Sequence, residues 1–339
     1  MNKDIAVVIL NYNGKRFLER FLADVVRFSP EADIVVADNA SSDGSVDYLR
    51  QQHPEVHLLI HEKNFGYAGG YNQALNQLKH TYFVLLNSDI EVTEGWLTPL
   101  YAFMEQNQQV AACQPKLLSY ADMAYFEYAG AGGGYIDKFG YPFCRGRIFQ
   151  TIEPDEGQYD DVHEVFWASG ACMFVRSVAF WNAGGFDADF FAHMEEIDLC
   201  WRMKHQGWKI MYVPQSKVYH IGGGTLPKIS SRKTYLNFRN NLSMIYKNMP
   251  SSYFVYVIGS RLFLDVIASL KFLIEGGWGD FFAVWRAHAH FFRKLPWLQL
   301  KRNAIKPRKV SRIYGRNVVI DYFLLQKRYF SELNQRKIS

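Results

Sequence analysis

Three times before residue 90, a short apolar run empties directly into a loop of Asn, Asp, Ser and Gly: AVVIL into NYNG (6–14), IVVA into DNASSDG (34–44) and FVLL into NSD (83–89). Unbroken runs of β-branched and leucine residues, without polar alternation, belong to strands covered on both faces. Phe17, Leu18, Phe21, Leu22, Val25 and Val26 repeat at helical spacing, which predicts a helix over 15–28. Further helices are expected over 46–52, 68–79 and 93–104, with a third strand near 56–60 and a fourth over 82–86. Strands alternating with helices imply an α/β fold with a mostly parallel sheet and right-handed crossovers. Ligands of such sheets bind beyond the carboxyl ends of the strands, so the loops after the first, second and fourth strands should converge on one site.

Past residue 113 the pattern changes. Residues 114–158, with AGAGGGY at 129–135, read as loops and short antiparallel strands. Residues 165–175 read as a buried strand, 195–205 as a helix, and 210–213 and 218–219 as short strands. After Lys228 the sequence is largely helical to about Leu300, then basic and irregular. The expected division is an α/β domain over 1–228 and a helical, basic region over 229–339.

Charge follows that division. Residues 1–230 carry 18 Lys and Arg against 28 Asp and Glu, whereas residues 231–339 carry 20 against 5. A basic half of this kind suits an anionic surface such as the inner leaflet of a membrane. Nucleic acid is not expected as a partner, because no helix-turn-helix, zinc-finger or RNA-binding signature is present. With 49% hydrophobic and 16% aromatic residues the chain can bury a sizeable core, which excludes global disorder. Cys113, Cys144, Cys172 and Cys200 are widely spaced, forming neither a disulfide framework nor a zinc site, as suits a reducing cytoplasm. MNKDIAVVILNYNG reads as a buried strand and not as a signal peptide. A cytoplasmic location is expected, peripheral on the inner face of the membrane.

Residues 253–274 are the best candidate for a membrane span. Their thirteen Leu, Ile, Val and Phe would contribute roughly −4 to −8 kcal/mol, against roughly 7 to 10 kcal/mol for Arg261, Asp265 and Lys271. Crossing loses narrowly. Arg261, Asp265 and Ser269 fall at i, i+4 and i+8, a polar stripe that suits a helix packed on the domain or lying in the interface.

Several polar segments carry chemistry. Asp38 directly follows the second strand, where it can accept hydrogen bonds from a nucleoside or cap a turn. Asn64 to Asn72, NFGYAGGYN, joins small residues to a helix start, a place where glycines allow close approach and free amides favour phosphate. Asp89 in NSDIE, at a strand end, can hold a divalent cation against phosphate or cap the next helix. Glu195, Glu196 and Asp198 open a helix. Adjacent Glu195 and Glu196 repel, which raises proton affinity towards that of a useful base, while Asp198 is better placed to brace the helix. His220 in YHIGGGT sits at a strand end beside a glycine run, and an acidic site nearby would make it a metal or phosphate ligand.

Taken in order, VVILNYNG, VVADNASSDGS, NFGYAGGYNQAL, VLLNSDIEV, WASGACMFVRS, GGFDADFF, MEEIDLCWR and YHIGGGT resemble glycosyltransferase family 2, inverting enzymes of the GT-A fold. They look closest to its bacterial rhamnosyltransferase-like branch, which builds cell-surface polysaccharides. The resemblance implies a nucleotide-sugar donor such as dTDP-rhamnose or a UDP-hexose, a glycan or lipid-linked acceptor, and Mg²⁺ or Mn²⁺ as cofactor. By the same resemblance Asp38, with the backbone around Leu10 and Tyr12, holds the nucleoside. Asn13, Asn64, Gly66, Gly69, Asn72, Asn87 and Ser88 complete the nucleotide-sugar site. Asp89 matches the last carboxylate of the family's D-x-D motif, His220 a histidine that completes the metal site in some relatives, and Glu196 the base. Two departures stand out: Asn87 replaces the first D-x-D carboxylate, and the base is Glu in place of Asp. A sugar-1-phosphate nucleotidyltransferase would want a basic, Gly-rich loop after the first strand, where Asn-Tyr-Asn-Gly stands here. A non-catalytic nucleotide-sugar-binding module is the other alternative.

Overall fold

The computed structural model describes residues 3–222, 230–250 and 252–339. The last residues of YHIGGGT and the expected boundary at 228/229 lie outside them. β1 (Ile5–Asn11), α1 (Lys15–Arg27), β2 (Ala32–Asp38), α2 (Ser45–Gln52), β3 (His57–Ile60), α3 (Gly66–Leu75) and β4 (Tyr82–Asn87) alternate as the apolar runs predict. β5 (Ile90–Val92), α4 (Leu97–Gln106) and β6 (Val110–Ser119) follow. A set of short strands comes next: β7 (Gly134–Asp137), β8 (Pro142–Cys144), β9 (Arg147–Ile148) and β10 (Thr151–Ile152). β11 (His163–Val165), β12 (Cys172–Arg176), α5 (Ser177–Asn182), α6 (Glu195–His205) and β13 (Lys209–His220) return to the main sheet. Three long helices, α7 (Ser231–Asn248), α8 (Phe254–Ile274) and α9 (Trp278–Ile305), precede β14 (Ile313–Tyr314) and α10 (Val318–Phe323).

In the central sheet β3, β2, β1 and β4 are parallel, β12 runs antiparallel between β4 and β6, and β13 lies parallel to β6. Strand alternation splits the core into two layers. Ile5, Val7 and Ile9 of β1 meet Leu18, Leu22 and Leu100 of α1 and α4, whereas Ala6 and Val8 meet Tyr71, Phe180 and Trp201 of α3, α5 and α6. The second layer continues into the small sheet, ordered β10–β9–β8–β7–β14.

Four expectations needed correction. The helix over 93–104 starts at Leu97, because Ile90–Val92 pairs with β13 first. The run 165–175 is two strands, since 166–171 leaves the ladder and Trp167 bridges to Gly134. The strands at 210–213 and 218–219 are one, β13, with a register shift between Tyr212 and Lys217. The segment after Leu300 is not irregular throughout: β14 pairs with β7, and Tyr314, Val318, Tyr322, Phe330 and Leu333 join the main core.

A buried charge network fastens α6 to α7. Asp198 Oδ2 accepts from Arg202 Nε at 2.8 Å, and Oδ1 accepts from Asn248 Nδ2 at 2.8 Å and lies 2.9 Å from Lys247 Nζ. Burial works against its charge, yet Lys247 and Arg202 hold its pKa below the ordinary carboxylate value. Removing one member of a buried pair leaves its partners desolvated. Asp198→Ala should therefore cost about 3–5 kcal/mol in urea unfolding; a loss under about 1 kcal/mol would place the network among marginal surface pairs.

Candidate active site

Register brings the polar loops together. Asn11 of β1 stands opposite Asp38 of β2, and Leu10 opposite Asn87 of β4, so three loops leave the sheet side by side. Asn11 Nδ2 donates to Asp38 Oδ2 at 2.9 Å and to Ser41 Oγ at 3.1 Å, and the Ser41 N–H donates to Asp38 Oδ1 at 2.8 Å. The Asn13 N–H donates to Ser41 Oγ at 2.9 Å, and Asn13 Oδ1 accepts from the Ser42 N–H at 2.8 Å. Tyr12 stays exposed beside them. Gly14 closes on the β4 loop: a Cβ there would sit 3.3 Å from Ser88 Oγ.

At the end of β4, Asp89 Oδ1 lies 3.2 Å from His220 Nε2 at the end of β13, and Asn87 Nδ2 lies 3.5 Å from the same nitrogen. Glu127 Oε1 is 3.2 Å from the other ring nitrogen, Nδ1, close enough for charge attraction but off the line of a hydrogen bond. Burial would lower the His220 pKa, but Glu127 and Asp89 flank the ring and raise it to about 10. The two carboxylates therefore call for positive charge between them. Among the described residues no group of three His, Cys, Asp or Glu forms a complete metal cage. In the protein alone the protonated His220 ring supplies that charge, and a cation would have to displace its proton to take Nε2 with Asp89 as the second ligand.

Glu195 and Glu196 begin α6. Glu195 is 4% exposed and Glu196 is only partly buried, and each has one buried carboxyl oxygen without a hydrogen-bond partner among the described residues. Burial, then the neighbouring Glu196, pushes the Glu195 pKa far above its ordinary value. Burial pushes Glu196 up to about 7, against the pull of the backbone amides of Glu196 and Ile197. Glu195 thus holds its proton at neutral pH while Glu196 is poised to exchange one. The approach to α6 is fixed by Asn240 of α7, whose side-chain amide donates to the carbonyls of Phe190, Ala192 and His193 at 3.0, 2.8 and 2.8 Å. Tyr67 feels the charge of both glutamates and donates to Gly170 O at 2.6 Å; the next residue, Ala171, accepts from the Asn87 N–H. Tyr67 thus ties α3 to the segment that meets the β4 loop, within electrostatic range of the acid pair.

The family model for glycosyl transferase family 2 matches residues 6–153, and that for glycosyl transferase family group 2 matches residues 82–269. Between them they cover every loop described above. The chain belongs to glycosyltransferase family 2. The transferase is 29% identical over 237 residues to the N-acetylglucosaminyl-diphospho-decaprenol L-rhamnosyltransferase of Mycobacterium tuberculosis, covering 65% of this chain and 76% of that one. It is 26% identical over 227 residues to the rhamnosyltransferase WbbL of Escherichia coli, with 64% and 83% covered. The mannosyltransferase PcManGT of Pyrobaculum calidifontis, solved with GDP-Man and Mn²⁺, shares the fold at a TM-score of 0.51 and 13% identity, over 90% of the transferase and 86% of that chain.

Several of the expected site residues also have partners within the chain. The first amides of α3, from Tyr67 and Ala68, donate to Phe191 O at 2.6 and 3.2 Å and are not open to phosphate. Gly66, at φ +73°, packs where a Cβ would lie 2.5 Å from the Phe191 ring, and a Cβ on Gly69 would press on Phe65. Asn72 clamps the Phe186 backbone from both sides, at 2.8 and 3.0 Å, and Asn64 Oδ1 accepts from Asn39 Nδ2 and the Gly66 N–H. Asn64, Gly66, Gly69 and Asn72 therefore fasten loops together. Asp38 is likewise engaged through both oxygens within its own loop, Leu10 packs against Gly70, and Asp198 is taken by α7. Sequence reasoning missed Asn11, Ser41 and Glu127. Asn11 stood in view beside Asp38's strand, but Glu127 lies in irregular sequence with no motif.

Carbon-13 NMR of glutamate-labelled transferase should show one carboxyl titrating near pH 7 that is missing in Glu196→Gln. A spectrum in which every glutamate titrates near about 4.3 would contradict this environment.

Proposed function

We propose that the transferase moves a sugar, rhamnose from a dTDP donor or a hexose from a UDP donor, onto a hydroxyl of a lipid-linked cell-surface glycan. The reading places the enzyme at the inner face of the cytoplasmic membrane, where such acceptors are built. Its support on the acceptor side is that both bacterial relatives above are rhamnosyltransferases, one of them named for a diphospho-decaprenol acceptor. On the catalytic side one observation carries it: Glu196 at the start of α6, with a buried carboxyl oxygen that has no partner among the described residues and a pKa near neutrality.

In this mechanism Glu196 takes the proton of the acceptor hydroxyl as that oxygen attacks the anomeric carbon. The nucleotide diphosphate leaves from the opposite face, so one displacement inverts the configuration. Glu195 keeps its proton, which leaves the pair with a single negative charge. Tyr12, Asn13 and Ser88 would contact the donor, on the loops framed by Asn11, Asp38 and Ser41. Asp89 and His220 would hold a magnesium or manganese ion, which supplies neutralising charge to a departing diphosphate. Glu127 acts through His220, adding negative charge 3.2 Å from the far ring nitrogen.

Glu196→Gln should lower turnover by about 10²–10⁴-fold with donor binding nearly unchanged. Because the base must be ionised, wild-type kcat/KM should rise with pH through about 7 and then level, a limb that Glu196→Gln should lack. Turnover surviving the substitution would move the base to Glu195. For the cation, titration of the resting protein with Mn²⁺ followed by electron paramagnetic resonance should show binding abolished in Asp89→Ala. Glu127→Gln should weaken it by about 10–100-fold. Unchanged affinity in Asp89→Ala would remove the metal from this position.

A further inference from the structure

Helix α8 is built inside out. Arg261, Asp265 and Ser269 on its inward stripe are 3%, 1% and 0% exposed, whereas Phe263, Ile267 and Ile274 are 66%, 50% and 86% exposed. The inward stripe is satisfied within the protein. Arg261 Nη1 donates to Phe139 O at 3.1 Å and its guanidinium lies 3.7 Å over the Tyr141 ring. Asp265 sits 3.7 Å from Arg261 Nη2 and 3.2 Å from His288 Nε2 of α9. From Val255 to Leu270 no exposed residue of α8 carries a charge. On α9, Trp278, Phe282, Trp285, Ala289 and Phe292 recur every three or four residues as an exposed apolar stripe, and Arg286, Arg293 and Lys294 border it. The turn from Ile274 to Trp278 joins the helices, so the two apolar faces flank the tip of a hairpin, where exposed Lys271 and Glu275 pair with each other at 3.5 Å.

A water-facing helix carries its apolar stripe towards the core; this one is reversed. In the basic segment 301–312, three of the six cations are engaged within the protein. Lys301 pairs with Asp187 and Asp189 at 2.5 and 2.8 Å, Arg302 Nη1 donates to Tyr246 O, and Arg312 lies 3.6 Å from Glu164. Among the described residues no helix is long and apolar enough to cross a membrane. A second copy docked face to face would set Arg286, Arg293 and Lys294 against their own like charges, while anionic headgroups complement them.

We propose that the α8–α9 hairpin is a monotopic anchor lying in the headgroup–acyl boundary of an anionic bilayer. Phe263, Ile267, Ile274, Trp278 and Phe282 enter the apolar zone, and the bordering cations reach the lipid phosphates. The anchor rests on the packing of α8 and stands independently of the sugar-transfer chemistry.

The test uses the full chain with phosphatidylglycerol–phosphatidylcholine vesicles carrying brominated acyl chains. Wild type should co-sediment at low and at high salt, with tryptophan fluorescence quenched by bromine. Phe263→Glu/Ile267→Glu should lower the partition coefficient by about tenfold or more. Its thermal unfolding and its nucleotide-sugar hydrolysis in lipid-free buffer should match wild type, the hydrolysis reporting separately on the transferase reading. Should that variant fold poorly, Trp278→Ser/Phe282→Ser at the tip is expected to give the same loss. Variants that bind as tightly as wild type, binding that disappears at high salt, or a dimer that keeps the hairpin covered in the presence of vesicles would each overturn the anchor.

Discussion

The site depends on how the chain is held just before α6. Phe191, His193 and Met194 adopt φ of 65°, 72° and 74°, left-handed values that cost an L side chain about 1–2 kcal/mol each. Three independent grips hold them there: the α3 amides on Phe191 O, the Asn240 amide on three carbonyls, and the Asp198–Lys247–Asp187 charges behind. Strain of this kind persists only where the surroundings over-determine it. Its result is a helix that begins on two adjacent glutamates, one buried and one partly so, which compete for one proton.

That arrangement also explains the split in charge along the sequence. Three acids of the first 230 residues are matched by cations from the basic remainder: Lys247 and Lys301 on Asp187, Lys247 on Asp198, Arg312 on Glu164. Burial opposes ionisation of Asp187, and Lys247 and Lys301 hold its pKa far down. The two halves of the sequence, opposite in sign, pack on one another through these pairs.

The parallel strands, their polar loops and the exact span of α6 were legible, because each is coded by neighbours within a few residues. The buried stripe of α8 was legible for the same reason, through the spacing of Arg261, Asp265 and Ser269. What could not be read were contacts between distant segments. Glu127 meets His220 only after β6 and β13 pair, and Gly66 of NFGYAGGYN serves Phe191, more than a hundred residues on. A Gly-rich helix start has the same local appearance whether it receives a phosphate or a carbonyl oxygen. Lys301 reads as a solvated cation until Asp187 is known to lie beside it.

β14 adds a constraint in time. The small sheet takes its edge strand from residues 313–314, which pair with Ile136 and Asp137, while Asp137 accepts the Val318 N–H at 2.9 Å. Such a contact closes a loop of well over a hundred residues, the kind of non-local pairing that forms late. During synthesis the four parallel strands can assemble early, but the floor beneath the small sheet waits for the returning segment to leave the ribosome. Until then Tyr135, Phe143 and their neighbours remain an uncovered apolar surface, and a nascent chain in that interval is a natural client for a chaperone.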